Sequence, residues 1–263
     1  MFILYPSPFL SFPIPKKLEH MSYIYGRNPV LEALSQPGTI QKIYIQHGSQ
    51  PGKVSQIYSI ARKNSIAIVN ADPGKLRQMV GDVNHQGIVA LIAPVQVFDL
   101  LELDLPVTAV APMCLVIADR IQDPHNMGAI IRSAEIFGAN GVIFSTRENV
   151  PITEVVVKAS AGAALHCPLY RADNLVKAAQ WLKENNVWIY GTAVDAGDTL
   201  WDVDFRRHCA IVVGSEEKGI RTLLEKQCDQ TFRIPQIGKT QSLNASVAAG
   251  VVLAEMVRQR SQS

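Results

Sequence analysis

Along the chain the apolar positions fall into short runs separated by breaks rich in glycine, proline and polar residues, and two regimes are visible. Between residues 22 and 93 the runs are brief and mixed. Segments 42–46, 66–69 and 87–92 read as strands. Segments 28–34, 53–63 and 73–80 read as helices, the first with Pro29 just inside its start. From Met113 onward strand and helix alternate more regularly. Residues 115–118 form an uninterrupted apolar run, as in a strand buried on both faces. The spacing of Ile130, Ala134 and Phe137 predicts a helix over 127–137, capped by Asn126 and ended by Gly138. Further strands are expected at 141–144, 187–190, 209–213 and 231–234, with helices at 155–162, 175–185 and 221–226. After a loop at 234–244, small apolar residues from Ala245 predict a closely packed helix with Asn244 as its cap. This alternation predicts an α/β fold, an open parallel sheet with helices on both faces.

Residues 94–112, punctuated by Pro94, Pro106 and Pro112, are acidic and read as a linker. The expected organisation is therefore an extension over 1–21, a small α/β unit over 22–93, the linker, and a larger unit over 113–263. The extension is apolar with four prolines, and its two lysines follow the apolar run. That order does not suit a secretory signal, and the prolines break any membrane span. An upstream start or a disordered tail is expected, with an organellar targeting segment as the lesser alternative.

The 263 residues are 48% hydrophobic, enough for a sizeable core. A net charge of +2 does not by itself indicate nucleic acid. The four cysteines show no C-x-x-C spacing, so reduced thiols in a cytoplasmic protein are expected and no metal site is. No glycine triplet follows the first strand of the larger unit, and no phosphate-binding P-loop sequence occurs, which argues against dinucleotide or nucleotide-triphosphate chemistry. In parallel sheets ligands bind beyond the carboxyl ends of the strands. Three polar segments belong there: 119–132, 214–219 and 234–246. They bring Asn126, Arg132, Glu216, Ser242, Asn244 and Ser246, and Gly214 and Gly238 would let backbone approach a ligand closely.

Three stretches carry a family likeness: Asp123-Pro-His-Asn-Met-Gly-Ala-Ile-Ile-Arg-Ser-Ala134, Ile211-Val-Val-Gly-Ser-Glu-Glu-Lys-Gly-Ile-Arg221 and Ile234-Pro-Gln-Ile-Gly-Lys-Thr-Gln-Ser-Leu-Asn-Ala-Ser-Val247. In order and spacing they resemble the three motifs of the SpoU (TrmH-like) RNA ribose methyltransferases of the SPOUT superfamily. The N-terminal unit, with Tyr25-Gly-Arg-Asn28 and His85-Gln-Gly-Ile88, resembles that family's ribosomal-protein-like RNA-binding domain. The pairing is most similar to the subgroup that methylates a guanosine ribose of 23S ribosomal RNA.

The resemblance implies a deep trefoil knot, an S-adenosylmethionine cofactor, ribosomal RNA as substrate and a homodimer without metal or membrane. It implies that Gly214, Ile234, Pro235, Leu243 and Thr192 hold the cofactor. It also implies that Asn126, Arg132, Glu216, Ser242 and Asn244 form the catalytic group, and that Arg27, Asn28, His85 and Gln86 touch RNA. Arg132 matches the family's catalytic arginine. Because a guanidinium keeps its proton beyond pH ~12, a cation that stabilises a developing alkoxide and grips phosphate is the better physical role than a base. Two departures stand out: Glu217 where many members have glycine, and Gln236 where methionine is frequent. Alternatives are a transfer-RNA ribose methyltransferase, an antibiotic-resistance ribosomal RNA methyltransferase, or a catalytically silent RNA-binding assembly factor.

Overall fold

A computed structural model describes residues 22–35, 40–48, 51–92, 95–105 and 112–262. The expected extension over 1–21 lies outside the described residues, as do Pro94 and Pro106.

The N-terminal unit runs β1 (Ser22–Tyr25), α1 (Arg27–Leu34), β2 (Ile40–Gln46), α2 (Pro51–Lys63), β3 (Ala67–Ala71), α3 (Pro73–Val80) and β4 (Ile88–Ile92). Its sheet has the order β1-β4-β2-β3 among the described residues. Only the β2–β3 pair is parallel. Ile43, Ile45, Ile88 and Ala90 bury one face with Val30 and Leu34 of α1. The strand β1 was not foreseen from sequence.

The larger unit contains β5 (Val97–Asp99), β6 (Cys114–Ala118), α4 (Pro124–Ile136), β7 (Gly141–Phe144), α5 (Glu154–Ala159), β8 (Leu169–Arg171), α6 (Leu175–Glu184) and β9 (Trp188–Thr192). It continues with β10 (Asp198–Thr199), β11 (Cys209–Val213), α7 (Thr222–Glu225), β12 (Gln230–Arg233) and α8 (Ala245–Arg260). Among the described residues these strands form an all-parallel sheet, ordered β10-β12-β9-β11-β6-β7-β8-β5. Every residue of β6 and β11 is buried. Alternate residues feed two cores: Cys114, Val116 and Ala118 pack with α4, α5 and α8, and Leu115 and Ile117 pack with α6 and α7.

Three expectations need correction. Residues 97–99, placed in the linker, are a strand that pairs in parallel with β8 at the sheet edge, followed by a 3-10 turn at Leu100–Glu102. The helix expected over 155–162 stops at Ala159, because Ala161 and Gly162 take φ values of 50° and 82° and turn the chain into a 3-10 segment. The cap of α4 is Asp123 rather than Asn126. Asp123 Oδ1 accepts from the His125 amide at 2.9 Å, and Pro124 occupies the first helical position, where its missing N–H costs nothing.

The far end of α8 is fastened to the amino ends of the central strands. Arg260 donates to the carbonyls of Phe205 (2.8 Å), Pro112 (2.6 Å), Met113 (3.1 Å) and Arg207 (3.0 Å). Gln259 adds a reciprocal pair, donating to Val203 O and accepting from Phe205 N, each at 2.9 Å. Both ends of this helix are thus held, with its amino end at the site.

Candidate functional site

The carboxyl ends of β9, β11 and β12 open into a cavity of about 540 Å³. One wall is the turn 214–220 and the other is the segment 234–245. Thr192, Gly214, Glu216, Ile234, Ser242 and Leu243 all line it. Of the residues expected to hold a cofactor, Pro235 is exposed and does not line the cavity. The Thr192 hydroxyl donates to Val212 O at 3.1 Å, which ties β9 to β11.

The turn 214–220 is closed by paired backbone bonds, Ser215 N to Gly219 O at 3.1 Å and Gly219 N to Ser215 O at 2.8 Å. Gly219 adopts φ 60°, the left-handed region. Gly214 is enclosed by this turn. A Cβ there would stand 2.1 Å from the Gly219 carbonyl carbon and 2.4 Å from the Ile220 nitrogen. Gly238 differs from expectation: nothing lies within 4 Å of a Cβ built on it, so no close approach requires glycine there.

At the lip, side chains from all three polar segments meet. Asn126 Nδ2 donates to Glu216 Oε1 at 2.8 Å, and Asn244 Nδ2 donates to Asn126 Oδ1 at 2.9 Å. Asn244 Nδ2 also donates to Glu216 Oε1. The Asn244 Oδ1 accepts from the amides of Ser246 (3.0 Å) and Val247 (3.3 Å) and from the Ser246 hydroxyl (2.6 Å). One asparagine therefore caps α8 and orients the Asn126–Glu216 pair. Asn244→Ala is expected to cost about 1 kcal/mol in the cap alone. Chemical denaturation should read that loss, together with weaker binding at the cavity. A variant as stable as the parent would mean that Asn244 contributes nothing as a cap.

Arg132 stands six residues beyond Asn126 on α4, about 9 Å along the axis at 1.5 Å per residue. It is exposed, and its side chain makes no hydrogen bond or ion pair among the described residues. It does not line the cavity. On the packed α4–α8 pair the exposed large apolar side chains are Ile136 of α4 and Val247 and Val257 of α8, exposed by 62%, 50% and 38%.

The N-terminal candidates also gather. Arg27 N donates to Gln86 Oε1 at 3.2 Å, and His85 Nδ1 accepts from Gly87 N at 3.0 Å. His85 and Gln86 line an open cleft of about 430 Å³ with Gln46, Arg77 and Asn84. Arg27 and Asn28 lie outside that lining, Asn28 being exposed.

Sequence reasoning overlooked a layer behind the cavity: Asp119, Glu148, Asn149 and Arg221. Asp119, fully buried at the end of β6, was the one signal available, since a carboxylate directly after a buried strand demands a partner. The cysteines take no part. Burial pushes the Cys167 and Cys228 thiols up to about 12, and none of the four lines the cavity. Among the described residues no group of three or more His, Cys, Asp or Glu side chains could hold a metal, and no helix is long and apolar enough to cross a membrane.

Comparison with known proteins matches residues 113–254 to the SpoU rRNA Methylase family and residues 23–98 to the RNA 2'-O ribose methyltransferase substrate binding domain. The chain is 40% identical over 244 residues to an uncharacterized tRNA/rRNA methyltransferase of Synechocystis, covering 92% of this chain and 64% of that one. It is 35% identical to the 23S rRNA (guanosine-2'-O-)-methyltransferase RlmB of Nitrosomonas europaea, over 93% of this chain and 94% of the relative. Among solved structures it resembles the SpoU methyltransferase AviRb of Streptomyces viridochromogenes in complex with the cofactor AdoMet. The TM-score is 0.69 at 23% identity, with 92% and 91% of the two chains covered.

Proposed function

Since this chain belongs to the SpoU rRNA methylase family, we propose that it transfers a methyl group from S-adenosylmethionine to the 2'-hydroxyl of a guanosine ribose in 23S ribosomal RNA. The observation that carries the reading is the Asn126–Glu216–Asn244 cluster at the lip of the cavity. It joins the three motifs at the cavity beyond the carboxyl ends of β9, β11 and β12.

The cavity suits the donor. Its volume lies in the range of small-molecule sites, and the backbone of Gly214 lines it. Backbone groups at Gly214, Ile234 and Leu243 hold the adenosine, with Thr192 beside it. Bound there, the sulfonium supplies an electrophilic methyl, so the protein's task is alignment more than activation. Asn126, Glu216 and Ser242 orient the ribose and the donor against each other. Arg132 stabilises charge developing on the ribose oxygen and grips a neighbouring phosphate.

The rest of the chain takes the RNA. Residues 22–93 form the substrate-binding unit, with Arg27, Asn28, His85 and Gln86 in contact with it, and 113–263 form the catalytic unit. The exposed Ile136, Val247 and Val257 on the paired helices α4 and α8 support a homodimer, in which Arg132 serves a site shared between two copies. A trefoil knot made by 214–219 and 234–246 belongs to the same reading, and a crystal structure with an unthreaded α8 would remove it.

Labelled methyl transfer tests the whole. The expected result is label in the ribose of one 23S guanosine, none in transfer RNA, and sedimentation at twice the chain mass. Label in transfer RNA alone would replace the substrate. RNA binding without transfer at saturating donor would leave an assembly factor instead.

A further inference from the structure

Behind the cavity, three loops that leave adjacent strands are stitched together by charge. Asp119 follows β6 and is 0% exposed. Its Oδ1 accepts from Arg221 Nε at 2.8 Å, and its Oδ2 accepts from the Arg221 amide at 2.8 Å. The same guanidinium donates through Nη1 to the Glu148 carboxylate, on the loop after β7. Arg120, held at φ 57°, donates from Nη2 to Gly219 O at 3.0 Å. Ile121 closes the set, its N–H donating to Asn149 Oδ1 at 2.7 Å and its carbonyl accepting from Val150 N at 2.9 Å.

Arg221 directly follows the wall 214–220, and Arg120 holds Gly219 within it. Residues 119–123 lead directly into α4, which carries Asn126. The loops so fixed are the two that must present Glu216 to Asn126. A buried ion pair is poor evidence of stability, because well-packed apolar residues fold as well or better. What a guanidinium that reaches two carboxylates at once adds is geometric register.

We infer that the Asp119–Arg221 pair, braced by Glu148, is a positioning device for the donor cavity: it holds the turn 214–220 at the spacing that keeps the cavity open and Glu216 against Asn126 before any ligand arrives. The identity of the donor rests on the proposed function; the mechanical role does not.

Arg221→Lys keeps a cation beside Asp119 but loses the fork, and Arg221→Gln loses the charge. Mutations in such supporting networks shift coupling to a site by about two- to thirtyfold. Calorimetry with S-adenosylhomocysteine should show affinity falling about tenfold in Arg221→Lys and further in Arg221→Gln, with a smaller loss in Glu148→Gln. RNA affinity should stay at the parent value. Hydrogen exchange should show protection lost at the amides of Ser215 and Gly219 and kept in the central strands. Unchanged donor affinity and unchanged exchange in a folded Arg221→Lys would overturn the inference. So would a uniform drop in thermal midpoint, donor affinity and RNA affinity together, the mark of a merely structural pair. If Arg221→Gln fails to fold, Arg221→Lys and Glu148→Gln decide. If the parent protein itself ignores S-adenosylhomocysteine, the functional reading fails, and exchange at 215–219 still decides the positioning role.

Discussion

Arg132→Ala should lose about two to three orders of magnitude in turnover, the range seen when one group that stabilises a developing oxyanion is removed, while donor affinity and stability stay at parental values. The separation follows from placement. The Arg132 side chain is exposed, makes no hydrogen bond or ion pair among the described residues, and does not line the cavity. Truncating such a surface side chain changes stability by about 0.5 kcal/mol or less. Any large effect on rate is then chemical. Single-turnover methyl transfer at saturating donor, beside calorimetry with S-adenosylhomocysteine, reads the two quantities separately. Parental turnover in this variant would mean that α4 carries no group the reaction needs.

Gly214→Ala should abolish donor binding for the opposite reason, because its neighbours cannot move. The added methyl would lie 2.3 Å from the Gly219 carbonyl oxygen as well as against Ile220 N. Both are backbone, held by the Ser215–Gly219 pairing and, through Gly219 O, by Arg120. Relief requires the turn to swing outward, and the turn is the cavity wall. Overpacking of this kind costs roughly 1–3 kcal/mol, so the urea midpoint should fall as the calorimetric signal disappears. Gly238→Ala, with open space around its Cβ, is the matched control and should behave as the parent. A folded Gly214→Ala protein with parental donor affinity would show that the wall yields, and the cavity would need another definition.

What could be read from the chain beforehand divides by interaction range. The strand β11 and the helix α3 fall where apolar runs and Pro73 placed them, and Asn244 caps α8 as its position before a small apolar run implied. Strands β1, β5, β8 and β10 escaped notice. They are four, three, three and two residues long, too short for a period to register, and most sit at sheet edges where partners decide the conformation. The cap of α4 was legible in Asp123-Pro124, an acceptor followed by proline, but Asn126 drew the assignment because the apolar spacing started the helix at Met127. That residue faces Glu216 instead, 90 positions away. The Asp119–Arg221 pair spans 102 positions. Its existence depends on β6 and β11 being neighbours, which is a property of strand order and is written in no local stretch.

The fastening of α8 at both ends bears on when the protein becomes competent. This helix follows every strand of the sheet, yet Asn244 completes the lip of the cavity and Arg260 ties off the amino ends of the central strands. A chain emerging from the ribosome can therefore assemble most of its scaffold while the pocket is still unfinished. The lip of the cavity is the last part to close, because it waits for α8.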